Sequence, residues 1–374
     1  MTQPVETLIL DITDLSRGGT GVARDEQGRV VFVPFTAPGD RVKVQIVESE
    51  KRYATGELLE VIQASPVRQQ PRCPAFGRCG GCQWQHLPYE LQWKTKSSGV
   101  RHALSRVGVD TSALKLEELP AERIWEYRNR IQLRGEHRSE GTILGFYAKG
   151  SHNVIPLDRC DIARSEINEA WEKTRADSKT LSRPFKVELE VSEKGELSQS
   201  WNQGHAAQGF RQVHDDQNEK LKAWVRSAVT PGLPVLDLFG GSGNLSAQLI
   251  SSAPEIHCVD VSVPREKPAH FPDFFKFHRA PVADWFKRTK VEKKDWSAIL
   301  DPPRIGLGQD FQSIADGIEK AGVKELVAVG CDPDSWARDV SRFVKRGWKL
   351  DRVAALDLFP QTAHVESLAR LVRN

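Results

Sequence analysis

Short apolar runs, each closed by a glycine or a polar residue, recur through the second half of the chain. Val235-Leu236-Asp237-Leu238-Phe239 runs into Gly240-Gly241-Ser242-Gly243-Asn244, and Ile256-His257-Cys258-Val259 ends in Asp260. Ser297-Ala298-Ile299-Leu300 ends in Asp301-Pro302-Pro303-Arg304, and Leu326-Val327-Ala328-Val329-Gly330 ends in Cys331-Asp332-Pro333. Apolar runs of this kind, alternating with helical stretches from Gly209 onward, predict a doubly wound parallel sheet. Such sheets do their chemistry at the carboxyl edge of the strands. A glycine loop, two carboxylates and a thiol converge there. That predicts a cofactor-dependent enzyme with Cys331 as candidate nucleophile.

The first half has a different rhythm. Short strand-like runs at 8–10, 30–33 and 42–47 are separated by turn residues such as Ala37-Pro38-Gly39-Asp40, which predicts a small OB-like β-barrel over 1–63. The stretch 65–71 reads as a linker. Beyond it the pattern is mixed, with a helix expected over 89–104 and strands at 129–133, 143–147 and 185–191. The expected fold class is therefore a multi-domain α/β chain: a barrel over 1–63, a central α+β domain over 64–205, and a doubly wound domain over 206–374.

Composition changes this picture little. The 374 residues are 39% hydrophobic and 28% charged with a net charge of +3, a mildly basic balance that permits a nucleic-acid partner without demanding one. Bases such as Lys94, Arg101, Arg106, Arg128, Arg130 and Arg134 outnumber acids in their stretch; a solvated helix face is the plainer reading of such a run. With no signal-peptide pattern and no apolar run of about 18 residues, a cytosolic chain without a membrane segment is expected. Disulfides are rare there, so the six cysteines point to a metal site or catalysis.

Cys73, Cys79 and Cys82 form a C-x5-C-x2-C array, and Cys160 is the remaining cysteine outside the sheet domain. Four thiolates suit an iron–sulfur cluster or structural zinc. His86 is a rival fourth ligand that would favour zinc, and spacing leaves the two metals near parity. The glycine loop aims a helix N-terminus at an anion, a phosphate or a carboxylate. It is not a clean dinucleotide fingerprint and lacks the Gly-Lys-Ser/Thr of a phosphate loop. Asp260, about twenty residues on, is placed for ribose hydroxyls. Cys258, inside its strand, reads as a buried structural thiol. Glu366 alone would pass for a surface carboxylate; beside a nucleophilic thiol it is a candidate general base.

Together these residues resemble the RNA 5-methyluridine methyltransferases, specifically the iron–sulfur members acting on 23S rRNA, over essentially the whole chain. Residues 1–63 are similar to that family's TRAM RNA-binding barrel, and Cys79-Gly80-Gly81-Cys82-Gln83, Gly145-Phe146-Tyr147 and Gly150-Ser151-His152 to its central motifs. Phe210-Arg211-Gln212-Val213, Asp237 to Asn244, Asp301 to Arg304, Cys331-Asp332-Pro333 and His364-Val365-Glu366 fall in family order. The resemblance implies a [4Fe-4S] cluster on Cys73, Cys79, Cys82 and Cys160. It implies S-adenosylmethionine bound by Gln212, Phe239, Asn244, Asp260 and Asp301, with Cys331 as nucleophile and Glu366 as base. The implied partner is RNA, with 23S rRNA first and tRNA second, and the chain is expected to act as a monomer. The chemistry accounts for the residue types. Uracil C5 is a poor nucleophile until a thiolate adds at C6, and a base must then remove the C5 proton.

Three positions depart from the family. Asp332 stands where Asn is usual, a charge expected to raise the Cys331 pKa. Asp260 replaces Glu. Pro264, Pro268 and Pro272 preclude a regular helix after Asp260, so the adenine side is expected on a non-helical loop over 277–284, with Asp284 as a substitute acceptor. The alternatives are an RNA-binding relative with impaired catalysis and, on Asp301-Pro302-Pro303, an amino-methyltransferase. Arg304 in place of an aromatic residue counts against the latter.

Overall fold

Apolar and polar residues alternate along the N-terminal strands, so each strand has one face to bury. In the computed structural model, which describes residues 6–139, 141–181, 184–204 and 211–373, β1 (Thr7–Asp11), β2 (Asp14–Leu15), β3 (Gly21–Arg24), β4 (Val30–Val33), β5 (Arg41–Ser49) and β6 (Tyr53–Gln63) form one sheet in the order β1-β5-β6-β4-β3-β2. Leu10, Ala23, Val31, Val33, Val42, Val44 and Ala54, drawn from five of these strands, share one core. A sheet whose strands all face one core must curl, as a small barrel does.

The stretch expected as a linker is fastened down. Fully buried Asp40 accepts backbone N–H bonds from Ala37 (2.7 Å) and Ser65 (2.8 Å), and Arg68 donates to both of its oxygens at 2.7 and 3.2 Å. Burial alone would raise this carboxyl, but Arg68 and the two N–H groups hold it below its ordinary value. Arg68→Ala should cost about 3 kcal/mol by stranding the charge. A carboxylate with a depressed native pKa stabilises fully above its unfolded value and loses that contribution as pH falls through the native one. The melting deficit of the variant should therefore be present at pH 7 and shrink below about pH 4; equal melting at pH 7 would remove the pair from the stability of this region.

The chain continues through α1 (Tyr89–Arg106), β7 (Leu116–Leu119), β8 (Arg130–Arg138), β9 (Gly141–Tyr147), β10 (Val154–Pro156), α2 (Ser165–Glu169), α3 (Trp171–Asp177), β11 (Phe185–Val191) and β12 (Leu197–Trp201). β8 to β12 make an antiparallel sheet in the order β10-β9-β8-β11-β12. Its apolar face, with Leu133, Leu144, Val187 and Leu189, packs against Ile167 and Trp171 of α2 and α3. By strand alternation the opposite face carries Gln132, Arg134, Tyr147 and Lys186.

The C-terminal part comprises α4 (Asp215–Ala228), β13 (Val235–Leu238), β14 (Ile256–Asp260), β15 (Phe275–Arg279), α5 (Val282–Arg288), β16 (Trp296–Leu300), α6 (Phe311–Ala321), β17 (Val323–Gly330), α7 (Pro333–Lys345), β18 (Lys349–Leu356) and β19 (Glu366–Val372). The strands join β7 in an eight-stranded sheet ordered β15-β14-β13-β16-β17-β19-β18-β7. The expectation of a wholly parallel sheet is corrected at one strand. β19 runs antiparallel to both β17 and β18, because 357–365 is too short for a crossover and permits only a hairpin-type return.

β7, expected within the central segment, belongs to this sheet, parallel to β18. Glu117 on β7 fixes it there, accepting from Arg352 at 2.8 and 3.0 Å and from Trp224 at 3.1 Å. The chain accordingly divides into one unit of Met1–Lys96, Glu122–His205 and Phe359–His364, and another of Ser97–Ala121, Ala206–Leu358 and Val365–Asn374. The expected 205/206 boundary and Phe210 lie outside the described residues. Among the described residues no helix is long and apolar enough to cross a membrane.

Candidate active site and cysteine cavity

Reversal of β19 brings the two candidate reacting groups to one edge of the sheet. Gly330 on β17 lies opposite Ser367 on β19; Cys331 follows that last pair on one side and Glu366 precedes it on the other, close enough for the two groups to interact electrostatically. Glu366 is buried, and Cys331 is half-buried. Burial and the nearby Asp301 carboxyl push Glu366 up to about 8, against a smaller opposing effect of Arg304. Burial, then Glu366 and Asp301, push the Cys331 thiol up to about 12, again opposed by Arg304. The charge expected from Asp332 is not what raises the thiol. Its carboxylate caps α7 instead, accepting from the N–H groups of Asp334 (3.1 Å) and Ser335 (2.9 Å).

The glycine loop leaves β13 through Phe239, whose φ of +64° places a bulky side chain in the left-handed region. Strain of this kind clusters at ligand-binding turns. The Phe239 N–H bonds the Val259 carbonyl at 2.9 Å. A Cβ at Gly240 would lie 2.5 Å from the Asp237 carboxylate and 2.7 Å from the Cys258 sulfur, so only glycine lets the loop settle on β13 and β14. Beneath it Asp237 is fully buried, bonded by Ser246 at 2.5 Å through one oxygen while the other has no hydrogen-bond partner among the described residues. Burial and Asp260 raise Asp237 to about 6, and burial with Asp237 and Asp260 raises Asp301 to about 7. Asp260 accepts from the Gly241 N–H at 3.2 Å and from the Ser262 N–H and hydroxyl at 2.7 Å each. Three carboxyls on neighbouring strand ends, one with an orphan oxygen, suit a cationic ligand.

Asn244 exchanges a reciprocal amide pair with Asn218 of α4, at 2.9 and 3.0 Å. Gln212 is buried just ahead of α4. Neither Asn218 nor Gln217, which donates to the Leu119 and Asp357 carbonyls at 3.0 and 2.9 Å, was picked out by the sequence. The signal was there: both amides begin the stripe that buries Leu221, Trp224, Val225 and Ala228. The adenine-side expectation is corrected. The Pro-punctuated stretch 261–274 is non-helical, but 277–279 closes β15 and Asp284 sits in the first turn of α5, 3.3 Å from Lys287. The helix starts directly after Pro281, which stands at its N-cap.

In the other unit, Cys73, Cys79, Cys82 and Cys160 line one cavity of about 470 Å³, with Arg128, Arg134 and Lys149 around it. Burial and the mutual proximity of the sulfurs raise Cys82 to about 12 and Cys160 to about 11. Gln85 accepts the Cys73 N–H at 2.9 Å and Asn168 the Cys160 N–H at 2.8 Å. His86 does not join them: its Nε2 is 3.1 Å from the Thr36 carbonyl. As the side chains stand, no group of three or more metal-ligating residues is arranged to hold an ion among the described residues.

The strand-end loop, the thiol–carboxyl pair and the sheet order define a group-transfer enzyme of the methyltransferase fold. A tRNA (uracil-54, C5)-methyltransferase of Pyrococcus abyssi shares that fold with a TM-score of 0.72, 21% identity, and coverage of 98% of this chain and 100% of that one. Residues 2–59 match the TRAM domain. An RNA methyltransferase of Bdellovibrio bacteriovorus is 31% identical over 97% of this chain and 94% of its own. The 23S rRNA (uracil(1939)-C(5))-methyltransferase RlmD of Chromohalobacter salexigens is 30% identical over 98% and 89%. The chain belongs to the RNA uracil-C5 methyltransferase family.

Proposed function

We propose that this protein methylates C5 of a uridine in RNA, with 23S rRNA the first substrate to test and tRNA the second. The observation that supports the reading is the closeness of Cys331 and Glu366 beside the Gly330–Ser367 pair, within a chain 30% identical over 98% of its length to the rRNA enzyme. Cys331 as thiolate adds to C6, C5 gains enolate character and accepts the methyl group, Glu366 in its ionised form takes the C5 proton, and the thiol is expelled. With Glu366 raised to about 8, the ionised form gains as pH rises through that value. S-adenosylmethionine supplies the methyl group when bound. Its fit rests on the glycine-only approach at Gly240 and the orphan oxygen of Asp237, and we assign Phe239, Asp260, Asp301, Asn244 and Gln212 to its binding. Mapping 5-methyluridine in 23S rRNA and tRNA incubated with the protein and cofactor tests the reading. No new 5-methyluridine in either would overturn it, and product in tRNA alone would reassign the substrate.

The cysteine cavity fits a thiophilic group by its donor set, four sulfurs facing one space, and we assign it a [4Fe-4S] cluster held by Cys73, Cys79, Cys82 and Cys160. The methylation consumes no electron, so the residues' task is to brace the surrounding loops. Protein purified without air should be brown with about four irons per chain. Stoichiometric zinc without visible absorption would replace the assignment.

A further inference from the structure

A second cavity, of about 350 Å³, opens on the antiparallel sheet and includes Arg134, Tyr147, His152, Lys186 and Asn202. The Arg134 guanidinium lies 5.0 Å over the Tyr147 ring, and the His152 ring meets Tyr147 edge-on at 5.2 Å and 79°. Guanidinium planes and aromatic rings are the surfaces on which unpaired bases stack.

Charge argues the same way. Arg134 donates only to the neutral Gln132 amide, and Lys186 makes no ion pair among the described residues. Among the described residues the carboxylate lining the cavity is Glu136, and it is taken by Arg138 at 2.7 Å. Elsewhere in this unit Arg68, Arg159 and Arg175 each have carboxylate partners. Two cations left without carboxylates beside a stacking surface match a nucleotide's phosphate and base. The platform is also held firmly. The Gly80 N–H donates to the Tyr147 carbonyl at 3.2 Å, the Lys149 N–H to the Arg78 carbonyl at 3.1 Å, and Cys79 bridges Ala148. The cysteine loop therefore stitches down the end of β9 that presents Tyr147.

We propose that this cavity is a stacking site for one unpaired nucleotide of the RNA, with Tyr147, Arg134 and His152 receiving the base and Lys186 the phosphate. It rests on the reading of the chain as an RNA enzyme, but is tested by binding alone.

The test is fluorescence anisotropy of the full-length chain, purified without air, with a labelled single-stranded 12-mer RNA across a salt series. Tyr147→Ala should weaken binding roughly tenfold with the salt dependence unchanged, and Tyr147→Phe should stay within about twofold of wild type. Lys186→Gln should weaken binding and lower the salt slope by about one. If wild type binds and Tyr147→Ala and Lys186→Gln bind with its affinity and slope, the site is overturned, and a protein segment becomes the occupant to seek. If the wild-type chain binds no RNA, this proposal and the RNA reading fall together. RNA binding that Tyr147→Ala weakens, without any 5-methyluridine formed by wild type, would sustain the site while sinking the proposed reaction.

Discussion

Cys331→Ala is expected to abolish 5-methyluridine formation, a loss of roughly four orders of magnitude or more, as for other covalent nucleophiles. RNA carrying 5-fluorouridine should trap wild-type protein as a covalent adduct, because fluorine cannot leave C5 as a proton does, and the variant should form none. The thiol's setting adds a pH signature. Burial, Glu366 and Asp301 raise it to about 12 and Arg304 pulls it back. Alkylation of Cys331 in the free protein should therefore keep rising with pH beyond 9, and should be slower in Arg304→Gln at any one pH. Wild-type turnover by Cys331→Ala would end the mechanism and redirect attention to direct transfer to a nitrogen or oxygen.

Glu366→Gln should stop the reaction one step later. Addition needs the thiol and methyl transfer the methyl donor, neither needs the carboxylate, but elimination needs the C5 proton removed. The variant should accumulate an adduct stable to denaturing gels on ordinary RNA, with turnover reduced about a thousandfold. Rapid turnover with no adduct would assign proton removal elsewhere. The same substitution reports on stability. The buried carboxyl holds its proton up to about pH 8, against an ordinary value of 4.5. Between those values the native state binds more protons than the unfolded chain, and stability declines as pH rises through the window. Glutamine has no such titration, so the melting advantage of Glu366→Gln should grow from pH 5 to pH 8. A constant difference would show that Glu366 is not buried as a titrating group.

The strand-end motifs were legible because a parallel strand buried on both faces is an unbroken apolar run, and a glycine or carboxylate marks its end. β13, β14, β16 and β17 all appear where such runs occur. The direction of β19 was not legible, since Glu366–Val372 reads alike forward or reversed; only the short return at 357–365 decides it. Asp332 was misread for a related reason. A carboxylate next to a thiol in sequence looks like an electrostatic neighbour, whereas the first turn of α7 has N–H groups that claim it. Arg304 was noted only for not being aromatic, and its opposition to the raised pKa values of both Cys331 and Glu366 depends on loop geometry that no spacing encodes. The cysteines were found by count, but the amide of Asn168 that positions Cys160 lies eight residues away in an unremarkable helix.

At the far end of β19, Arg370 donates to Glu325 at 2.5 Å and to Asp351 at 2.6 Å, and Glu325 also accepts from Thr230 and Ser297. These charges take no part in chemistry, yet they clamp β19 to β17 and β18 at one alignment. Strand side chains alternate faces, so a slip by a single residue would turn Glu366 away from Cys331 and deliver Val365 or Ser367 in its place. The distance between acid and thiol is thus set like a scale read at its opposite end. On the proposed mechanism, damage to Arg370 would surface as a fault in proton removal.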